Sequence, residues 1–119
     1  MGIKKFEDIL SWKKSQELGK EIYLLFKNCP DYSFKNQIQR ATISISNNIA
    51  EGFERQTNKE LRQFLYIAKG SAGEVRSMIY MSLQLKFIDQ ESFDKVYNKT
   101  IEISKLLSGL IKALTMNSK

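Results

Sequence analysis

The sequence contains no histidine and only one cysteine, Cys29. An intrachain disulfide therefore cannot form, a zinc site of His and Cys ligands is excluded, and we expect a reducing compartment. The lack of histidine also removes the usual general base and with it Ser-His-Asp and Cys-His sites, as well as the paired Glu-x-x-His motifs of di-iron bundles. The residue chemistry predicts a protein that is not an enzyme, with no catalytic, cofactor-binding or metal-binding residues.

Proline occurs once and glycine six times, which is too few for the many turns of a β-sandwich or barrel and favours long helices. No apolar run approaches the roughly 20 residues of a membrane span, and the N-terminus lacks the apolar segment of a signal peptide. We therefore expect a cytoplasmic protein without a membrane partner. The length and the ordinary globular composition predict one domain, residues 1–119.

Apolar residues recur every three or four positions in four segments, roughly residues 11–28, 33–53, 58–86 and 90–115, which is typical of helices with one buried face. Pro30 is expected to end the first helix, Thr57 and Glu60 to form a capping box on the third, and Asp89 to be the N-cap of the fourth. Four helices with short connections predict an all-α fold, an antiparallel up-down-up-down four-helix bundle. The expected core lines are Trp12, Ser15, Leu18, Ile22, Leu25 and Cys29; Phe34, Ile38, Ala41, Ile45, Ile49 and Phe53; Leu61, Leu65, Ala68, Ala72, Val75 and Ile79; and Phe93, Val96, Thr100, Ile103, Leu107, Leu110 and Leu114.

The third helix has a second apolar line beside its core line, formed by Phe64, Ile67, Ser71, Met78 and Leu85. Such a wide apolar arc is expected for a helix that contacts two neighbours. Gly70 and Gly73 fall inside this helix, where we expect them to allow close approach of another backbone.

Basic residues are concentrated on the third helix. The net charge is +6, and residues 58–87 carry five basic groups against two acidic ones. Spacings of three and four place the following residues on one stripe: Lys59, Arg62, Tyr66, Lys69, Gly73, Arg76 and Tyr80. Cations interleaved with aromatic rings suit a nucleic-acid surface. A solvated helix face and a subunit contact that buries both tyrosines are the alternatives.

The second helix has a polar line of Gln37, Arg40, Ser44, Asn47 and Glu51, with Asn48 alongside. Such side chains on a bundle helix are expected to form hydrogen bonds at the margin of the core or between subunits rather than a ligand site. Carboxylates also occur in pairs, which are expected to be solvated ion pairs with Lys or Arg of the same helix. These pairs are Glu17 and Glu21, Glu51 and Glu54, and Glu91 and Asp94.

Three segments carry a family resemblance: FEDILSWKKSQEL at residues 6–18, QIQRATISISNNIAEGFER at 37–55 and FLYIAKGSAGE at 64–74. They resemble the four-helix bundle family encoded by intervening sequences of bacterial large-subunit (23S) ribosomal RNA genes. The resemblance implies a four-helix bundle that forms a ring-shaped homopentamer. A related branch, the accessory protein of diversity-generating retroelements, is a basic pentamer that associates with nucleic acid and a reverse transcriptase. Arg40, Asn48, Glu51 and Gly52 match signature positions, for which the family implies no catalytic role.

Together, these features predict a non-enzymatic oligomeric protein that contacts RNA or DNA through its basic stripe. The alternative is a protein-interaction scaffold, a homo-oligomeric ring without a direct nucleic-acid role. An enzyme that depends on Arg40 or Glu51 is a third hypothesis.

Overall fold

Four helices make up the fold in a computed structural model that describes residues 2–116: α1 (Leu10–Leu25), α2 (Tyr32–Phe53), α3 (Asn58–Gln84) and α4 (Gln90–Met116). A single 3-10 turn, Phe6–Asp8, precedes α1. Each helix packs on its neighbour in chain order, and α4 returns to pack on α1. The connections are only four to six residues long, which makes consecutive helices antiparallel. The predicted up-down-up-down four-helix bundle is confirmed.

The predicted end of α1 is wrong by three residues. The helix stops at Leu25, before Pro30 can act, because the chain leaves helical geometry at Phe26, with φ −99° and ψ 8°. This turn buries the Phe26 ring beside Phe34, with 6.1 Å between the ring centroids. The helix therefore ends before the proline, at a residue whose ring is buried.

Side-chain caps begin the other three helices. The carboxylate of Asp31 accepts a 3.0 Å hydrogen bond from the amide of Phe34 and starts α2. The predicted N-caps Thr57 and Asp89 are confirmed, because Thr57 accepts from the amide of Glu60 at 3.1 Å and Asp89 from that of Ser92 at 2.8 Å. The Glu60 carboxylate accepts from the Thr57 hydroxyl at 3.1 Å and not from the Thr57 amide that the predicted capping box requires. The hydrogen bond from Ser92 lowers the pKa of Asp89.

The core agrees closely with the predicted lines. All six residues of the α3 line are buried, whereas on α4 Ile111 is buried in place of Leu110, which is only half-buried. The second apolar line of α3 is covered only in part, since Ile67 is 52% exposed and Leu85 is 50% exposed. The α2 helix therefore covers less of this line than its composition suggests.

Gly52 is a point of close contact between α2 and α3. A Cβ added at this position would lie 2.6 Å from the Cβ of Phe64 and 3.1 Å from Cδ1 of Leu61. The expectation of close contact at Gly70 and Gly73 is wrong within the chain, because nothing lies within 4 Å of the position of a Cβ at Gly70 and only the Arg76 side chain lies near Gly73. Within the chain, close contact between helices occurs at Gly52 instead of at Gly70 or Gly73.

We predict that Gly52→Ala destabilises the bundle by about 1–3 kcal/mol, because the added methyl group overlaps the base of Phe64. Gly70→Ala is the matched control and should stabilise the exposed side of α3 by roughly 0.5–1 kcal/mol. Urea unfolding followed by circular dichroism measures both. Equal stability of the two variants would contradict the close contact.

An ionic cluster joins α1 to α4. Lys99 Nζ lies 3.1 Å from Oε1 of Glu17 and 3.1 Å from Oε1 of Glu21. Glu17 also lies 4.0 Å from Lys14 of its own helix, as predicted, but the contact of both carboxylates with a lysine of another helix was not predicted. The hydrogen bond from Lys99 and the charge of Lys14 lower the pKa of Glu17. Partial burial opposes ionisation of Lys99, but hydrogen bonds to Glu17 and Glu21 outweigh it and raise its pKa.

We predict a pH-dependent loss of stability in Lys99→Met. The lowered pKa of Glu17 means that its contribution is present above the ordinary carboxyl value of 4.5 and disappears as the pH falls through the lowered pKa. Because the pKa of Lys99 is raised, the contribution of Lys99 to the free energy of unfolding is present up to the ordinary lysine value of 10.5. This contribution is lost as the pH rises further, through the raised pKa. The variant should therefore have a lower urea midpoint than the wild type at pH 7, and the difference should shrink below about pH 4.

Lys95→Met is the control, because Lys95 is 71% exposed and lies 3.8 Å from Glu21. It should change the midpoint less than Lys99→Met does. A difference between wild type and Lys99→Met that stays constant from pH 3 to pH 7 would disprove the ionic contribution.

Candidate nucleic-acid interface

The predicted stripe lies along the seam between α3 and α4. Two of its arginines reach across that seam: Arg62 Nη1 donates to the carbonyl oxygen of Leu114, and Arg76 Nη1 donates to Oγ of Ser104, both at 3.4 Å. Spacings of three and four place the rest of the stripe on the same side of α3. We call this seam the α3–α4 groove. The stripe forms one side of the groove, and residues 104–116 of α4 form the other side.

The cations of the stripe differ in exposure. Lys59 and Lys69 are exposed, whereas Arg62 and Arg76 are half-buried because their stems lie against α4. Gly73 lies between Lys69 and Arg76 and presents no side chain to the groove. The stripe is therefore a row of charged groups of which two are held in place by α4.

The charge of this row is not neutralised within the described chain. In residues 2–116 the ion pairs involve the cations Lys14, Arg55, Lys95 and Lys99, and none involves a cation of the stripe. All but the pair of Arg55 and Glu51 lie on the α1–α4 side. Carboxylates thus balance the lysines on one side of α4, while the α3–α4 groove keeps its positive charge.

A basic residue of α4, Lys112, completes the groove and was missed in the sequence. A shallow depression of about 260 Å³ lies at this end of the groove, between Tyr66 and Lys69 of α3 and Lys112 of α4. The hydroxyl-bearing residues Ser108 and Thr115 also line it. The sequence did contain a signal for this side of the groove. It is a polar line on α4 with spacings of four, four and three, formed by Ser104, Ser108, Lys112 and Thr115.

The two tyrosines of the stripe are not equivalent. The Tyr80 ring packs against Phe93 and Tyr97, with centroid distances of 5.1 and 5.7 Å. Tyr66 is 58% exposed and takes part in none of the ring contacts found among residues 2–116. Tyr66 therefore offers the freer ring of the two, whereas Tyr80, although 48% exposed, already contacts two other rings.

The four signature residues lie on α2, outside the groove. Asn48 Nδ2 donates to the carbonyl oxygen of Ser44 at 2.8 Å and to its Oγ at 2.9 Å, and Oγ of Ser44 lies 2.9 Å from Oγ of Ser71 on α3. This network confirms the predicted hydrogen bonds at the core margin for Ser44 and Asn48, whereas Gln37, Arg40 and Asn47 are exposed. Gly52 is the close contact described above, while Arg40 and Glu51 are exposed. Glu51 bonds to Arg55 at 3.5 Å, as predicted for that pair.

A second surface lies on the other side of α3, next to α2. Ile67, Ser71, Glu74, Met78, Met81 and Leu85 follow spacings of four, three, four, three and four, and Ser71 bonds to α2. Ile67, Met81 and Leu85 are about half exposed. We call this line, together with Arg40 and Glu51 of α2, the α2–α3 face.

No group of three or more His, Cys, Asp or Glu side chains in residues 2–116 is arranged to hold a metal ion. No helix within that range has the length and apolar content needed to cross a membrane.

A family model and a solved structure are both similar to this chain. The family model described as 23S rRNA-intervening sequence protein matches residues 7–109, a range that includes the stripe and the signature positions. A 1.70 Å crystal structure from Bacteroides thetaiotaomicron, described as a protein of unknown function from the S23 ribosomal protein family, is similar in fold, with a TM-score of 0.81. The two are 27% identical over 87% of this chain and 99% of the other. No curated protein matches the chain.

Proposed function

The chain belongs to the 23S rRNA-intervening sequence protein family, and from that premise we propose that it is a non-catalytic, oligomeric protein that binds RNA or DNA along the α3–α4 groove. The family description refers to an intervening sequence of 23S rRNA, so RNA is the first nucleic acid to test.

The uncompensated row of cations in the groove carries this proposal. Arg62, Lys69 and Arg76 follow one another every seven residues, or about 10.5 Å along the helix axis. A nucleic-acid backbone in the groove would therefore meet a cation at regular intervals, and Lys112 would add a positive charge from the α4 side of the groove. Phosphate neutralisation releases counterions and is the main source of affinity for such surfaces.

We predict that replacing Arg62, Lys69 and Arg76 together by Glu abolishes binding of RNA and DNA. The wild-type protein should bind a labelled oligonucleotide at low salt, with an affinity that falls linearly in a plot of log K against log salt. About four phosphate contacts would give a slope near −3 for a single strand. Fluorescence anisotropy at several salt concentrations measures both quantities.

The matched control replaces Lys13, Lys20 and Lys27 by Glu. These exposed lysines have the same spacing of seven residues and the same effect on net charge, which falls from +6 to 0 in both variants. The control should retain most of the binding. Because Arg62 and Arg76 contact α4, the pair Lys69→Glu and Lys112→Glu provides a second test with less risk to folding. Equal losses in the groove and control triples, or no salt-dependent binding by the wild type, would refute the proposal.

The α2–α3 face supports self-association as the second part of the proposal. Its row of half-exposed Ile67, Met81 and Leu85 is flanked by charges of both signs, Arg40 on α2 and Glu74 on α3. A second copy of the chain offers the same mixture and therefore fits this face better than a partner of one charge sign. A ring of five subunits and a reverse transcriptase as a partner stay predictions from the resemblance.

We predict that Ile67→Glu with Met81→Glu converts the oligomer to monomers, because two buried carboxylates would replace apolar contacts between subunits. Light scattering coupled to size-exclusion chromatography measures the mass. Leu24→Glu is the control, since Leu24 is 60% exposed on α1. Dissociation by the groove triple instead of this pair would place the subunit contact in the α3–α4 groove. Assembly without any nucleic-acid binding would favour the scaffold alternative.

A further inference from the structure

We propose that the α3–α4 groove selects single-stranded over duplex nucleic acid and holds one nucleotide in the depression between Tyr66 and Lys112. This inference rests on the proposed function and names its ligand class. Three independent features of the groove support it: its width, its free ring and its facing lysines.

The width of the basic surface disfavours insertion into a duplex. A single α-helix with side chains is about 10–12 Å wide and fits the major groove of B-DNA, which is about 12 Å wide. The cations here lie between two packed helices, because Arg62 and Arg76 bond to α4. The α3 helix cannot present them to base edges without α4, and the pair is about twice as wide as the groove. A flexible single strand can instead follow the seam between the two helices and meet these cations in turn.

The ring of Tyr66 can stack on an unpaired base. It is exposed and lies between Arg62 and Lys69 in the stripe. Stacking on an aromatic side chain needs a base face that is free of its neighbours, which a single strand supplies and a duplex interior does not. Tyr80 is a weaker candidate because its ring already packs on Phe93 and Tyr97.

The depression beside Tyr66 combines cationic and hydroxyl groups with an apolar part formed by Ile111 and Met116. Its volume of about 260 Å³ is just below the roughly 300–1,000 Å³ of small-ligand pockets. Lys69 and Lys112 face it from opposite helices, and Ser108 and Thr115 add hydroxyl donors. A phosphate between the two lysines would place its base against Tyr66, one helical turn from Lys69.

The test compares a ten-nucleotide single-stranded RNA, its DNA equivalent and the matching duplexes at several salt concentrations, with wild type and Tyr66→Leu. We expect the wild type to bind single strands at least about tenfold more tightly than duplexes, and Tyr66→Leu to weaken single-strand binding about tenfold without changing the salt slope. A 2-aminopurine in the strand should change fluorescence with wild type but not with Tyr66→Leu. Lys112→Gln should reduce the magnitude of the salt slope by about 0.7.

Tyr23→Leu is the matched control, because Tyr23 is 59% exposed on α1, against 58% for Tyr66. It should leave binding unchanged. Equal affinity for single strands and duplexes, or equal effects of Tyr66→Leu and Tyr23→Leu, would overturn this inference. If binding were still salt-dependent, the proposed function would stand. If the wild type bound no nucleic acid at all, both the inference and the proposed function would be overturned.

Discussion

The single core shared by four helices is the constraint on which the rest of the molecule depends. Each helix buries one apolar line in this core. Most of its polar and charged side chains therefore lie at the seams between neighbouring helices or on the surface. The seams differ in chemistry. Ion pairs around Lys99 join α1 to α4, and a hydrogen bond between Ser44 and Ser71 joins α2 to α3, with Asn48 bonded to Ser44. The α3–α4 groove holds cations instead, without the carboxylates that balance those of the α1–α4 side.

The close contact at Gly52 and the ionic cluster at Lys99 fix this arrangement from opposite sides of the bundle. Gly52 lets α2 approach α3, so that the two helices bond through Ser44 and Ser71. Lys99 joins α4 to α1 through Glu17 and Glu21. Both carboxylates lie on α1, so they do not offset the charge of the cations in the α3–α4 groove.

Much of the fold could be predicted from the sequence because helical periodicity is a local property. The core line from Leu61 to Ile79 follows directly from spacings of three and four, and the caps at Thr57 and Asp89 from residue type. The end of α1 was predicted too late, because the chain leaves helical geometry at Phe26, ahead of the stop signal at Pro30. The close-contact glycine was assigned to α3 instead of Gly52, because a contact between helices is not contained in the pattern along one helix.

The candidate site was predictable on α3 and not on α4. Periodicity places Arg62, Tyr66 and Lys69 on one stripe, but only the packing of the helices shows that Lys112 faces them and that Tyr80 is engaged by Phe93. A site between two helices needs the register of both, which a pattern along one helix does not contain.

Lysine footprinting tests the central claim most directly. Chemical modification followed by mass spectrometry would compare each lysine with and without a short single-stranded RNA. Binding in the groove predicts protection of Lys69 and Lys112 and unchanged reactivity of Lys13 and Lys20. Protection of Lys13 and Lys20, or uniform protection of all lysines, would contradict it.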